Sequence, residues 1–227
     1  GFSQLTTSII NCYATGDVTS SGIENTNRVT AGGIIGYTET EIHIRDCFAT
    51  GDVSGTGKCS SYFVGVGGLV GRLHANSDVE NCYAIGDVSG TGTGDSAKVY
   101  VGGIAGTPYY SDIVNSYALN QHVSASGTAS EFQVNRAVGE GETYQTILSN
   151  YGWVGTNVNG TTVTSDDVAS VHGKDVGLAW NTLFAGWDSS IWEISTAENY
   201  KLPILKDMPA PVADASYLKV ETHTVTF

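Results

Sequence analysis

The sequence predicts an all-β protein, a right-handed parallel β-helix (β-solenoid) of about four to five coils. Three observations lead to this prediction. A motif of eight residues recurs at steps of 35, 35 and 34 residues, the last copy being decayed. A glycine-rich motif recurs in the same phase. Small or apolar residues alternate with period two before each glycine-rich motif, which is typical of a strand with one buried face.

The first motif contains an aromatic residue and ends in Gly-Asp. It reads NCYATGDV from Asn11, DCFATGDV from Asp46 and NCYAIGDV from Asn81, and the decayed copy NSYALNQHV begins at Asn115. If each unit is one coil, equivalent residues stack about 4.8 Å apart, the spacing of parallel strands. Aromatic rings then lie on rings and asparagine amides on amides. The Gly-Asp pair predicts a bend between two strands.

The second motif is a glycine-rich pentapeptide. It reads GGIIG at 32–36, GGLVG at 67–71 and GGIAG at 102–106, and only Ala137-Val138-Gly139 remains of a fourth copy. In that fourth unit, Arg136 occupies a column that holds glycine in the earlier units. We therefore expect the ladder of strands to loosen at Arg136.

Three of the four cysteines form one column. Cys12, Cys47 and Cys82 are each 35 residues apart, and Cys59 lies in a variable loop. We expect reduced, structural cysteines that stack as small apolar residues. Strict alternation from the strand before Asn11 places Cys12 outside the coil, yet the all-small column is typical of a buried position, so the sequence leaves the direction of these side chains open.

The chain divides into three predicted segments. Residues 1–149 form the repeats, 150–208 form the last coil and a C-terminal cap, and 209–227 form a terminal strand or the start of a further segment. The last coil of a solenoid exposes an open edge that must be covered. All four tryptophans fall in the second segment and can cover that edge: Trp153, Trp180, Trp187 and Trp192. A short helix is expected over 175–184.

Composition excludes several classes of partner. The chain has 10 Lys and Arg against 23 Asp and Glu, a net charge of −13. Nucleic acid and anionic membrane surfaces require clustered cations, so neither is an expected partner. No apolar run approaches the ~20 residues that a membrane-spanning helix needs.

The two motifs together resemble the GLUG repeat family, which occurs in bacterial surface and secreted proteins, many of them adhesin-like. The resemblance covers roughly residues 9–140. In a different form it extends to the segments around Gly186-Trp187-Asp188 and 191–203, which are similar to the part that closes such arrays. It implies a β-solenoid without a recognised catalytic apparatus, a surface location, and a role in adhesion or display.

Two sets of residues are candidate sites. Tyr109 and Tyr110 follow Pro108 in a loop, and paired aromatic rings can stack on sugar rings, so they are the candidate ligand-binding residues. Asp17, Asp52 and Asp87 form a column of carboxylates about 4.8 Å apart, which repel one another unless each caps a turn or a cation lies between them. Turn capping is the favoured interpretation, and calcium is the alternative. No other cofactor is indicated.

We therefore expect a non-catalytic, monomeric repeat module, extracellular or on a bacterial cell surface, that serves adhesion or display. Its expected partners are host or surface proteins or glycans. The alternative is a carbohydrate-binding or polysaccharide-cleaving β-helix. A flank lined by clustered acids and aromatic residues would favour the alternative, whereas a smooth flank covered by Ser and Thr would favour the stalk or adhesive module.

Overall fold

The computed structural model describes residues 7–22, 28–58, 62–139, 146–177, 184, 186–193 and 202–208. All regular secondary structure in these ranges is β-strand. The strands stack in parallel into a β-solenoid of about four turns, which confirms the predicted fold class.

Each full coil contains five short strands. In the first coil these are β1 (Thr7–Ile10), β2 (Tyr13–Ala14), β3 (Val18–Gly22), β4 (Arg28–Gly32) and β5 (Ile35–Tyr37). The second coil contains β6 (Ile42–Arg45), β7 (Phe48–Ala49), β8 (Val53–Lys58), β9 (Phe63–Gly67) and β10 (Val70–Leu73). The third contains β11 (Asp78–Glu80), β12 (Tyr83–Ala84), β13 (Val88–Thr93), β14 (Lys98–Gly102) and β15 (Ala105–Pro108).

The later coils become shorter. The fourth contains β16 (Asp112–Val114), β17 (Tyr117–Ala118), β18 (His122–Gly127) and β19 (Glu131–Asn135). A partial fifth coil contains β20 (Ile147–Leu148), β21 (Tyr151–Trp153) and β22 (Asn157–Val158), followed by β23 (Thr161–Thr162) and β24 (Lys174–Val176).

Equivalent strands form five parallel sheets, which we call A to E after the order of their strands in a coil. Sheet A is β1-β6-β11-β16-β20, sheet D is β4-β9-β14-β19, and sheet E is β5-β10-β15. Sheet B runs from β2 to β21 and β24, and sheet C from β3 to β22, with β23 added antiparallel. The register follows the sequence repeat, since Val29 pairs with Val64 and Val64 with Val99.

The interior is divided into two apolar clusters. One contains Val and Ala side chains of sheets C and D, such as Val64 and Val99. The other contains Ile44, Val79 and Leu69 together with residues of sheets A, B and E. Burial of these side chains is the main favourable contribution to folding, about 25 cal/mol per Å² of apolar surface removed from water.

The side-chain direction that the sequence left open is now defined. Asn11, Asp46, Asn81 and Asn115 adopt positive φ between 47° and 55°. This left-handed conformation interrupts the alternation, so Cys47 and Cys82 point inward and are fully buried, and so is the aromatic residue that follows each. Cys12 is half-buried in the first coil, and Cys59 lies outside the described residues.

The aromatic column stacks as predicted. The ring centroids of Tyr13 and Phe48 are 5.2 Å apart, and those of Phe48 and Tyr83 are 4.9 Å apart with nearly parallel planes. The predicted asparagine contact also forms, since Asn115 Nδ2 donates to Asn81 Oδ1 at 2.6 Å.

The pairing between coils continues at Arg136 itself, contrary to the expectation, but directly after it sheet E is reduced to one isolated bridge, so the expected loosening begins there. Gly103 N donates to Arg136 O at 3.0 Å, and Ala105 pairs with Val138. Arg136 is fully buried because its guanidinium is surrounded by hydrogen-bond acceptors from residues 153–175.

The chain forms two compact units, 1–175 and 176–227. In the second, β25 (Trp192–Glu193) pairs antiparallel with β26 (Ile204–Leu205), and Phe184, Trp187 and Trp192 pack ring against ring in its core. The expected helix over 175–184 was wrong at its start, where Lys174–Val176 is a strand, and residues 178–183 lie outside the described ranges, as do Trp180 and 209–227. The predicted boundaries at 149 and 208 and the capping role of the tryptophans stay predictions.

Candidate functional site

Tyr109 and Tyr110 lie on the surface directly after β15. Their rings meet edge to face at 4.5 Å, and they are 43% and 42% exposed. The backbone beneath them is fixed between coils, because Tyr109 N donates to Leu73 O at 3.3 Å and Asn76 N donates to Tyr110 O at 2.9 Å. The two predicted ligand-binding residues therefore project from a rigid support.

Arg72, one coil earlier, joins the tyrosine pair to sheet D. Its guanidinium carbon lies 5.0 Å from the centroid of the Tyr109 ring and 5.2 Å from that of Phe63. Contacts of a guanidinium with two ring faces are cation–π interactions, worth about 0.5–1 kcal/mol each at exposed sites.

Arg28 repeats the arrangement at the other end of the same surface. Its guanidinium carbon lies 5.5 Å from the Tyr37 ring, 5.4 Å from Tyr62 and 5.9 Å from Phe63. Its Nη1 donates to the Tyr37 hydroxyl at 2.9 Å. Phe63 thus lies between the two arginines. We name the whole set the aromatic–arginine surface: Arg28, Tyr37, Tyr62, Phe63, Arg72, Tyr109 and Tyr110.

The glycine-rich motif builds this surface. Strand β9 runs from Phe63 to Gly67, the chain bends at 68–69, and β10 runs back to Leu73. Strands β9 and β10 thus form a V, and its inner side has little room for side chains, because a Cβ on Gly65 in β9 would lie 3.2 Å from Gly71 O in β10. Close contact of the two backbones brings Phe63, at the start of the V, opposite Arg72 at its end. The same geometry in the first coil brings Arg28 to Tyr37.

The opposite flank of the solenoid, sheet C, has a regular polar surface. Thr19 and Ser54 hydroxyls are 3.0 Å apart, and Thr91 and Ser126 repeat this contact two coils later. The smooth hydroxyl-covered flank therefore occurs on sheet C. The flank on sheets D and E has the expected aromatic residues, but arginines in place of the clustered acids.

The aspartate column caps the coils. Asp52 N donates to Asp17 Oδ1 at 2.9 Å, Asp87 N donates to Asp52 Oδ1 at 2.8 Å, and His122 N donates to Asp87 Oδ1 at 3.0 Å. Each carboxylate is therefore the acceptor for the next coil. Within the described ranges, no group of three or more His, Cys, Asp or Glu side chains could hold a metal ion.

The cysteine column has an equivalent structural role. Cys12 N contacts Cys47 Sγ and Cys47 N contacts Cys82 Sγ, both at 3.4 Å, and Cys82 N donates to Ser116 Oγ at 3.3 Å. Burial raises the pKa of the Cys82 thiol well above its ordinary value. An un-ionised thiol is a poor nucleophile and metal ligand.

A third column brings together the residue types of a hydrolytic triad. Ser8, His43 and Asp78 are register partners in three successive coils of sheet A. His43 Nδ1 contacts Asp78, but Nε2 faces Glu41 at 3.4 Å, and Arg45 also binds Asp78 at 3.0 Å. Ser8 and His43 form no hydrogen bond in the part of the chain that the structure describes. The column is thus an ion-pair network in which the serine lacks the contact that would activate it.

Sequence reasoning found two members of the aromatic–arginine surface and missed five. The 35-residue register does pair Tyr37 with Arg72 and Arg28 with Phe63. That signal could have indicated a mixed aromatic and basic flank. The apposition of Phe63 and Arg72 depends on the V, which the repeat period does not encode.

Comparisons with known proteins agree with this architecture. A family model described as the GLUG motif matches residues 27–54 and 64–89, so the resemblance to GLUG repeats is confirmed for these two stretches. A search of curated proteins finds no match.

One solved structure, that of a candidate immunoglobulin A1 protease from Bacteroides ovatus, is similar to this chain. The TM-score is 0.65 at 28% identity, and the match covers 88% of this chain but 57% of that one. Among the described residues, no helix is long and apolar enough to cross a membrane.

Proposed function

We propose that this chain is a non-catalytic repeat module, secreted or displayed on a bacterial surface, that adheres to glycans through the aromatic–arginine surface. The observation that carries the proposal is the group of exposed rings at Tyr62, Tyr109 and Tyr110 beside Arg28 and Arg72. Exposed aromatic rings on a rigid support suit recognition, because little conformational entropy is lost on binding. The GLUG motifs support the surface location.

Two observations support a non-catalytic module over a protease. The Ser8–His43–Asp78 column lacks the serine–histidine hydrogen bond, and Arg45 and Glu41 occupy the polar positions around it. This chain also spans 57% of the similar Bacteroides ovatus protein, so the activity in that protein's name need not reside in the shared solenoid.

A glycan-array experiment tests the proposal. Wild type, Tyr109→Ala/Tyr110→Ala and the matched control Phe132→Ala are compared, with calcium and with chelator. Phe132 is also an exposed ring, at 38%, but lies on β19 outside the surface. We expect wild type and Phe132→Ala to bind the same glycans and the double variant to bind about tenfold more weakly or not at all.

Two outcomes would contradict the proposed surface. Equal loss in Phe132→Ala and the double variant would show that ring exposure alone, not this surface, is responsible. Binding by all three proteins that disappears only with chelator would move the site to the Asp17, Asp52 and Asp87 column. If no glycan binds under any condition, the glycan-adhesion function is wrong.

A further inference from the structure

Two guanidinium groups, one from the first coil and one from the second, lie within the aromatic–arginine surface. Arg28 lies among Tyr37, Tyr62 and Phe63, and Arg72 lies between Phe63 and Tyr109. The residues come from three successive coils. Two inter-coil spacings correspond to about 10 Å, so a ligand that reaches both ends of this surface must be extended.

The cation–π contacts leave hydrogen-bonding capacity at Arg28. Ring faces contact the plane of the guanidinium, whereas its N–H donors point outward along its edges. Arg28 is exposed, and only its contact with the Tyr37 hydroxyl uses a donor among the described residues. Arg45, Lys98 and Arg136 each pair with a carboxylate, whereas Arg28 forms no ion pair in the described part of the chain.

The fork of a guanidinium matches a carboxylate, because two parallel N–H donors reach two oxygens. The surrounding rings match the apolar faces of sugar rings. A ligand that satisfies both combines carboxylates with pyranose rings.

The net charge of the chain further limits the class of ligand. A chain with a net charge of −13 repels dense polyanions at long range, so two local cations favour ligands with one charge per sugar or fewer. Heavily sulfated glycans carry more charges per sugar, and double-stranded nucleic acid carries one charge per about 1.7 Å of helix axis. A proline-rich peptide would also suit an aromatic surface, but its recognition depends on an aromatic-lined groove and makes no use of two arginines.

We propose that the aromatic–arginine surface selects acidic glycans, in which one sugar carboxylate binds Arg28 and a second carboxylate, where the glycan has one, binds Arg72, while the sugar rings pack on the surrounding aromatic side chains. This inference rests on the proposed glycan adhesion and adds the class of sugar. Uronic acids and sialic acids share the required chemistry.

The test measures dissociation constants for pairs of ligands that differ in charge. Trigalacturonic acid is compared with its methyl ester, and sialyllactose with lactose, which separates the two sources of the carboxylate. We expect one or both acids to bind at least about tenfold more tightly than the uncharged partner. We also expect that preference to weaken from about 50 to about 200 mM salt, because ionic screening is stronger at the higher concentration.

Variants of the two arginines identify the residues that bind the carboxylate. Arg28→Gln should lower the affinity for either acid to about that of the uncharged partner, and Arg72→Gln should lower the affinity for trigalacturonic acid. Arg28→Lys should retain part of the affinity that Arg28→Gln loses, because a lysine keeps the charge but lacks the fork. The control Lys58→Gln removes an exposed cation on sheet C and should change nothing. Melting curves check that each variant is folded. If Arg72→Gln does not fold, the variants of the exposed Arg28 still test whether an arginine binds the carboxylate.

The outcomes separate the two proposals. If the methyl ester and lactose bind as tightly as the acids, and the arginine variants have no effect, selectivity for acidic glycans is wrong while glycan adhesion stands. If no sugar binds and a polyproline peptide does, both are wrong and the surface recognises a peptide.

Discussion

One position of the repeat holds glycine in the regular coils of the solenoid and a large charged residue at its end. Gly33, Gly68 and Gly103 occupy it in the first three coils, and Arg136 occupies it in the fourth. In the interior the next coil leaves no space, since a Cβ on Gly33 would lie 2.5 Å from Gly68 O. The backbone N–H of Gly33 donates to that carbonyl at 3.1 Å. Glycine is therefore required wherever a regular coil follows.

At Arg136 no regular coil follows, and the side chain connects the coil to an irregular segment. Its Nε donates to His172 O at 2.8 Å, Nη1 donates to Trp153 O at 3.2 Å, and Nη2 donates to Gly173 O at 2.7 Å. Nη2 also pairs with Asp175 at 2.7 Å. Burial lowers the pKa of Arg136, and the hydrogen bond and charge of Asp175 oppose that shift.

The contrast shows how the solenoid ends. Interior coils satisfy their backbone by ladders to identical neighbours, whereas residues 153–175 have few ladder partners and rely on one guanidinium with several donors. A buried polar backbone group without a partner is costly, so the arginine is placed where the repeat stops.

The largest expected effect comes from removing this arginine. Arg136→Met leaves Asp175 and several carbonyls without their donor, so the free energy of unfolding should fall by about 3–5 kcal/mol. Urea denaturation measures it. The control is Lys98→Met, which breaks the exposed pair of Lys98 and Glu131 at 3.0 Å and should cost no more than about 1 kcal/mol. Equal losses in the two variants would mean that Arg136 does not hold the end of the solenoid.

A second test compares the Gly-Asp bend of the second coil with that of the first coil. Gly51 and Gly16 are equivalent, but a Cβ on Gly51 would lie 2.9 Å from Asp17 N and overlap Gly16 O, whereas a Cβ on Gly16 meets nothing within 4 Å. Gly51→Ala should therefore cost about 1–3 kcal/mol of unfolding free energy.

Gly16→Ala is the matched control and should leave stability unchanged or raise it by up to about 1 kcal/mol, since alanine restricts the unfolded chain. Denaturation midpoints of the two variants against wild type give the comparison. A loss in Gly16→Ala as large as in Gly51→Ala would show that backbone conformation, not the neighbouring coil, requires glycine here.

The sequence repeat allowed the stacking contacts within the regular coils to be predicted, but not the side-chain directions at the bends or the contacts at the end of the solenoid. Stacking of Tyr13, Phe48 and Tyr83 follows from the period alone, because residues one coil apart must be neighbours. The direction of the cysteines did not follow, because alternation fails at left-handed residues such as Asp46, whose φ is 53°.

Two further features lay outside what the period encodes. The period determines contacts along the stacking direction but not the shape of a coil in cross-section. The V that brings Arg72 to Phe63 therefore could not be predicted from it. Arg136 was visible as a break in a column, but its consequence was misjudged because a buried guanidinium is stable only where acceptors surround it. Those acceptors lie up to 39 residues later in the chain, at Asp175.

The smallest expected effect is a pH dependence at the end of the solenoid. Burial lowers the pKa of His172, the charge of Arg136 lowers it further, and Asp175 opposes this. His172 Nδ1 also accepts the backbone N–H of Arg136 at 3.3 Å, a contact of the neutral ring. Since the unfolded chain binds the proton at an ordinary pKa of about 6.5, it binds more protons than the folded chain just below that pH.

His172 therefore stabilises the fold fully above about pH 6.5, and its contribution declines as the pH falls toward the folded-state pKa, with a slope of at most about 1.4 kcal/mol per pH unit. His172→Asn keeps an acceptor for Arg136 N but cannot titrate, so its stability should fall less between about pH 7.5 and pH 5. Urea midpoints of the two proteins across this range measure the difference. Because all other titrating groups are shared, parallel profiles would mean that His172 is as easily protonated in the folded chain as in the unfolded one.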